Sequence, residues 1–208
     1  MNKLKNPLLI VANGDFPSHS IPLEILTKAN SIIACDGAAD TLLDRGYIPD
    51  IIIGDLDSIS DDNKNKYKDN VIEIQDQSQN DFRKALNYAR EQNISNISII
   101  GASGKREDHM IGNIFSLLDY KDLNIKLFTD TGFFSCIHKD QTIVSYKGQQ
   151  VSIFSVDSTI KITSTDLKYN FNNSVLSDIF IGTLNESTSG DFKLKISHGN
   201  LLIFQSYK

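Results

Sequence analysis

Four short polar clusters hold most of the residue types that can do chemistry in this chain: Asn13-Gly14-Asp15, Asp36-Gly37, Gly54-Asp55-Leu56-Asp57-Ser58 and Gly101-Ala102-Ser103-Gly104-Lys105-Arg106. The third is the most informative. Two acids at i and i+2, after an apolar run and a glycine, can converge on one magnesium ion, which takes one or two carboxylates and completes its shell with water and phosphate oxygens. The same residues also read as a strand-to-loop cap in which Asp57 or Ser58 starts a helix. Asp76 follows another apolar run, and Asp81 with Lys84 opens a helical period, where Asp81 would equally satisfy the helix macrodipole. The fourth cluster supplies the opposite charge. Lys105 and Arg106 beside two glycines suit phosphate oxygens, Arg through its planar fork. Asp108, His109 and Asn113 follow. This is not a P-loop, because the first glycine is missing and Arg106 stands where that motif needs Ser or Thr. His19, His138 and His198 show no ligand spacing.

The elements that must position these clusters are short. Leu8–Ala12, Ile32–Cys35, Ile51–Ile53, Val71–Ile74, Ile97–Ile100 and Ile125–Phe128 are apolar runs rich in β-branched residues. Between them lie helical stretches, Leu23–Ala29, Ala38–Arg45, Asn80–Gln92 and Asp108–Leu118. The third has Phe82, Ala85, Leu86 and Ala89 at i, i+3, i+4 and i+7, the amphipathic period. Continuous apolar strands alternating with helices imply a parallel sheet covered on both faces. Its strands then point their carboxyl ends, and with them the polar clusters, at the edge where open α/β sheets bind ligands. After Gly132 the helical period stops. Ile143–Tyr146, Val151–Val156, Ile160–Thr163, Ile179–Gly182, Phe192–Ile196 and Leu201–Phe204 are close-spaced strand-like runs. The expected architecture is an N-terminal Rossmann-like α/β parallel-sheet domain (1–135), followed by a small all-β, sandwich-like domain (136–208).

Composition narrows the function classes. The 208 residues carry 21 Lys+Arg against 26 Asp+Glu, a net charge of −5, with no basic run. Nucleic acid is therefore not the expected partner. Residues 36–81 hold twelve carboxylates and four basic residues, a local excess that calls for a counter-charge such as a divalent cation. No apolar run approaches the roughly 18 residues of a membrane span, and Leu8–Ala12 is too short for a signal-peptide core. Cys35 and Cys136 are too few and too far apart for a disulfide framework, so a reducing cytoplasm is the expected location.

In order and spacing, the strings Asp36-Gly37-Ala38-Ala39, Pro49-Asp50-Ile51-Ile52-Ile53-Gly54-Asp55-Leu56-Asp57-Ser58, Asp76-Gln77 with Asn80-Asp81-Phe82-Arg83-Lys84-Ala85-Leu86, and Gly104-Lys105-Arg106-Glu107-Asp108-His109 with Asn113 resemble the thiamine pyrophosphokinase (thiamine diphosphokinase) family. A weaker likeness continues through Leu167-Lys168-Tyr169 and Gly182-Thr183-Leu184-Asn185-Glu186. The resemblance implies an α/β catalytic domain followed by a β domain. It also implies a homodimer with thiamine held between subunits, and magnesium-dependent transfer of the pyrophosphoryl group of ATP to thiamine with AMP leaving. It makes Asp55, Asp57 and Asp76 the metal carboxylates, and Asp55, Asp57, Asp81, Lys84, Arg106 and Asp108 the catalytic set. Asn13, Gly14, Asp36, Gly37, Gly104, Lys105, Arg106, His109 and Asn113 would contact the nucleotide, and Tyr169, Thr183, Asn185 and Ser187 the thiamine. The chain departs from the family at Ser78 (often Asp), Asn80 (often Thr) and Leu184, which replaces a thiamine-binding serine. Three other readings stay open: a non-catalytic thiamine or nucleotide sensor, a magnesium phosphohydrolase suggested by Asp55-Leu56-Asp57, and a kinase that makes thiamine monophosphate.

Overall fold

The computed structural model describes residues 3–208, and contacts divide the chain into two compact units. Among the described residues the first comprises 3–116 and 122–130, the second 117–121 and 131–208.

The first unit is a parallel sheet with helices. Its strands are β1 (Leu8–Val11), β2 (Ser31–Cys35), β3 (Ile51–Gly54), β4 (Val71–Glu73), β5 (Asn96–Ile100) and β6 (Asn124–Phe128), in the spatial order β6-β5-β1-β2-β3-β4. Every neighbouring pair is parallel. β1, β2 and β3 are buried along their whole length, as strands covered on both faces must be. The helices are α1 (Ser20–Lys28), α2 (Ala38–Asp44), α3 (Asp61–Lys66), α4 (Asp81–Glu91) and α5 (Glu107–Ser116). One core runs through Leu9, Val11, Ala34, Ile52 and Ile100 of the strands to Leu26, Ala39 and Leu42 of α1 and α2. Successive strands grow outward from β1 to β4, then the chain returns to lay β5 on the other side of β1. This reversal makes the crevice between the ends of β1 and β5 the switch point at which such sheets bind ligands.

The second unit is antiparallel. β7 (Gly132–Ile137), β13 (Leu201–Ser206), β9 (Gln150–Phe154) and β11 (Asn185–Glu186) pair in that order. β8 (Gln141–Val144), β12 (Asp191–Ile196) and β10 (Ile162–Thr165) make a second sheet. Ile137, Val151, Ile153 and Ile203 from the first layer meet Ile143, Ile162, Phe192 and Leu194 from the other in one core, so the unit is a sandwich.

The structure differs from the sequence reading in three places. The expected division between residues 135 and 136 falls inside a strand, Gly132–Ile137, that is paired along its whole length with β13. The segment Ile179–Gly182, read as a strand, is a succession of turns, with Ile181 N–H donating to Asp178 and Thr183 N–H to Phe180. Its apolar residues carry no core: Ile179 and Phe180 are exposed. Helix α3 is all polar (Asp61-Asp62-Asn63-Lys64-Asn65-Lys66), so hydrophobic period could not show it. Its acids in the first turn and lysines in the last complement the macrodipole instead.

Candidate functional site

The loop after β3 presents its acids because of the residue between them. Leu56, at φ 64, buries its side chain in the core, and Ile59 does the same three residues on. Asp55 and Asp57 are left half-buried and exposed respectively, on the cleft side. Gln77 Nε2 donates to Asp55 Oδ2 at 2.9 Å, and this bond, with the Lys84 charge, holds the Asp55 carboxyl below the ordinary carboxylate range. The Ser58 hydroxyl donates to Asp57 Oδ1 at 2.9 Å. Carboxylate oxygens of Asp36, Asp55 and Asp57 lie within 4.8 Å of one another, an arrangement able to hold a cation.

Helix α4 brings the next pair. Asn80 caps it by accepting the Arg83 N–H at 3.0 Å, and its amide donates to Asn113 Oδ1 of α5 at 2.9 Å. Lys84 lies on the buried face with Phe82, Ala85, Leu86 and Ala89, and its ammonium donates to Asp81 Oδ1 at 2.9 Å. An added Cβ at Gly54 would stand 2.9 Å from Asp36 Cβ and 3.0 Å from Asp81 Cγ, so the absent side chain makes room for both acids.

The basic side is built at the switch point. Gly14 N–H donates to the Gly101 carbonyl at 2.7 Å and Asp15 N–H to the Ser103 carbonyl at 2.8 Å, stitching the β1 and β5 loops together. A Cβ at Gly14 would collide with both carbonyls. Lys105, at φ 55, donates from Nζ to Asn13 Oδ1 at 2.9 Å. Gly37, the N-cap of α2, leaves space that Asn13 Nδ2 fills. Arg106 grips Asp108 with two bonds of 3.1 and 2.6 Å, and Asp108 Oδ1 also accepts the His109 N–H at 3.0 Å. The guanidinium drives the Asp108 pKa down to about 2.

These residues share one open cleft of about 550 Å³ in the first unit. Asn13, Gly14, Asp55, Asp57, Asp81, Lys84, Gly104, Lys105, Arg106, His109 and Asn113 all line it. Asp36 and Gly37 stand behind its wall, and Asp108 reaches it through Arg106. Asp76 accepts the Ser78 N–H at 2.8 Å and Gln79 Nε2 at 3.2 Å within its own loop, and the three carboxylates that converge are those of Asp36, Asp55 and Asp57. Gln77, Ser58 and Cys35 also line the cleft, although sequence reasoning gave them no catalytic, metal or nucleotide role. Gln77 and Ser58 adjoin flagged acids, a usable signal; Cys35, inside an apolar strand, gave none.

The expected thiamine residues belong to the second unit. Tyr169 is exposed. Asn185 is buried and uses its amide on the Tyr169 backbone, accepting from N–H at 3.0 Å and donating to the carbonyl at 2.7 Å. Ser187 is fully buried and donates to the Ser189 carbonyl at 3.1 Å. Thr183 donates to the Phe180 carbonyl at 2.6 Å, and Leu184 stands exposed at φ 60.

A doubly covered parallel sheet with an acidic loop and a Gly/Lys/Arg loop facing one cleft at its switch point is the framework of an α/β enzyme. Residues 23–129 match the model of the thiamin pyrophosphokinase catalytic domain, and residues 132–204 that of the thiamin pyrophosphokinase substrate-binding domain. The chain belongs to the thiamin pyrophosphokinase family, a family of enzymes. It is 35% identical to a thiamine pyrophosphokinase of Bacillus subtilis over 124 residues, 57% of each chain. It is 28% identical to thiamine pyrophosphokinase 2 of Oryza sativa over 197 residues, 80% of this chain and 73% of the relative. The crystal structure of a thiamin pyrophosphokinase from Geobacillus thermodenitrificans superposes with a TM-score of 0.80 at 25% identity, covering 97% of both chains. That of the Bacillus subtilis enzyme gives 0.81 at 24% identity, over 97% of this chain and 99% of the other. The phosphohydrolase and sensor readings gain no support from these matches. Among the described residues no helix is long and apolar enough to cross a membrane.

Proposed function

We propose that the chain transfers the pyrophosphoryl group of ATP to the hydroxyl of thiamine, in the cleft of the first unit, giving thiamine diphosphate and AMP. One observation supports this reading above the others: in a chain of this family, the acids of the β3 loop and the cations Lys84, Lys105 and Arg106 line the same cleft. The hydroxyl oxygen of thiamine bonds to the β-phosphorus, the bond from that phosphorus to the oxygen bridging to the α-phosphate breaks, and AMP departs with that oxygen. A cleft carboxylate takes the hydroxyl proton. Transfers of this kind rest on positioning and charge neutralisation rather than on a covalent protein intermediate.

Two carboxylates at the mouth of an open cleft fit magnesium, which keeps several waters and shares phosphate oxygens. Asp55 and Asp57 would hold it, and when bound it offsets charge on the phosphate chain. Lys105, Arg106 and His109 orient that chain, with Asn13, Gly14, Gly37, Gly104 and Asn113 shaping the nucleotide surface. Lys84 holds Asp81 in place. Asp108 aims Arg106. For thiamine, Tyr169 and Thr183 offer accessible groups, while Asn185 and Ser187 act by fixing the backbone around them. We carry over from the resemblance a homodimer with thiamine held between subunits; Tyr169, Phe180 and Leu184 are exposed apolar area for such a contact. A reducing cytoplasm suits its two free cysteines.

With ATP labelled at the β-phosphorus, the label should move into the thiamine product. A product carrying only the γ-phosphorus would make the chain a monophosphate-forming kinase instead.

A further inference from the structure

Behind the acidic wall of the cleft sits a carboxylate with a different job. Asp36 is 2% exposed, and no other described Asp or Glu is buried to that degree. It occupies the left-handed region at φ 41, at the end of β2. Its Oδ2 accepts the Ser58 N–H at 3.0 Å and its Oδ1 the Ile59 N–H at 2.9 Å. Its Cβ fills the space that Gly54 leaves open. Asp36 thus packs against Gly54 at the end of β3 and holds Ser58 and Ile59 further along the loop that follows, while the cleft is lined by Asp55 and Asp57 and not by Asp36. From the front, Gln77 restrains Asp55 at 2.9 Å.

Asp55 and Asp57 repel one another whenever no cation lies between them, so a free loop would open and carry its two oxygens apart. A carboxylate that ties down the backbone on the far side of that loop opposes the opening, and groups of this kind set how well a site is formed before its ligand arrives. We propose that Asp36 is a positioning residue: it anchors Ser58 and Ile59 so that Asp55 and Asp57 present their oxygens together to a divalent cation, and it is not itself a ligand. The inference rests on the reading of that loop as a cation site. Direct ligation is the rival, because an Asp36 oxygen also lies within 4.8 Å of those of Asp55 and Asp57.

Mn²⁺ titration of the full-length chain, followed by electron paramagnetic resonance of the free ion, separates the possibilities. Asn tolerates left-handed φ and keeps one acceptor, so Asp36→Asn removes one anchor with little backbone strain. The expected result is at least a tenfold weaker Mn²⁺ affinity in Asp36→Asn, with faster amide exchange at Ser58 and Ile59 and undiminished protection in β3. If that variant does not fold, Asp36→Glu serves, since its longer side chain displaces the same two amides. In Asp36→Cys, Cd²⁺ should fail to restore tight binding, because a thiolate rescues only a position that touches the metal. Unchanged Mn²⁺ affinity in the variants, or Cd²⁺ rescue of Asp36→Cys, would overturn the positioning role alone. Absence of Mn²⁺ binding in the unsubstituted chain would overturn the cation site and this inference with it.

Discussion

The Lys84 ammonium lies 2.9 Å from the Asp81 carboxylate, with the lysine side chain 3% and the aspartate 27% exposed. The pair is asymmetric, and its two halves should fail differently. Asp81→Asn takes from a buried ammonium the carboxylate it is hydrogen-bonded to, which costs on the order of 3 kcal/mol. Lys84→Met leaves a carboxylate that still reaches solvent, and should cost about 1 kcal/mol. Urea denaturation of the two variants reads the difference; equal losses would mean that the ammonium is better solvated than its burial indicates.

Gly54→Ala tests the packing of the acids. The new methyl would press on Asp36 and Asp81, and displacing a reacting group by about 1 Å costs on the order of a hundredfold in rate. Turnover should therefore fall by about that factor. Steady-state rates at saturating substrate would show it, and near-normal turnover would mean that Asp81 need not stand where it does.

Asp57 is exposed and carries no core contact, so Asp57→Ala should change stability by less than about 0.5 kcal/mol. Transfer should nonetheless be lost even at saturating magnesium. Thermal unfolding and product formation on one preparation check both halves. A variant that turns over normally removes Asp57 from the metal site.

The Arg106–Asp108 fork has a defined pH window. Hydrogen bonding to Arg106 lowers the Asp108 pKa to about 2, against about 3.9 for a free aspartate. A lowered folded pKa means that the pair contributes at all pH values above the unfolded one, and that the contribution is lost as pH falls towards 2. In carboxyl-carbon NMR, Asp108 should titrate near 2, and near 4 in Arg106→Ala. A midpoint near 4 in both would show that the fork does not form in solution.

Much of this fold was legible from residue pattern. Apolar runs bounded by Gly-Asp turns place the parallel strands, and Phe82, Ala85, Leu86 and Ala89 place α4, because burial imposes a period. What escaped was held by polar bonds, which leave no period. Helix α3 starts where Asp40 accepts the Ser60 N–H and the Asn63 amide. Asp50, part of the most specific string, works away from the cleft by accepting the Ile32 N–H at 2.8 Å. The proposed cation site therefore takes up only part of the acidic stretch. Asp36, Asp40 and Asp50 anchor backbone, whereas Asp55 and Asp57 line the cleft, and only the folded arrangement separates the two groups. Asp76 shows the same double use, since its spacing matches a ligand and its carboxylate also accepts the Ser78 N–H within its own turn.

The central claim is pyrophosphoryl transfer to thiamine. Incubating the purified chain with ATP, magnesium and thiamine, then separating the products by chromatography, tests it most directly. The account predicts AMP and thiamine diphosphate in equal amounts, with neither formed when thiamine or magnesium is omitted. ADP with thiamine monophosphate, or no nucleotide turnover at all, would contradict it.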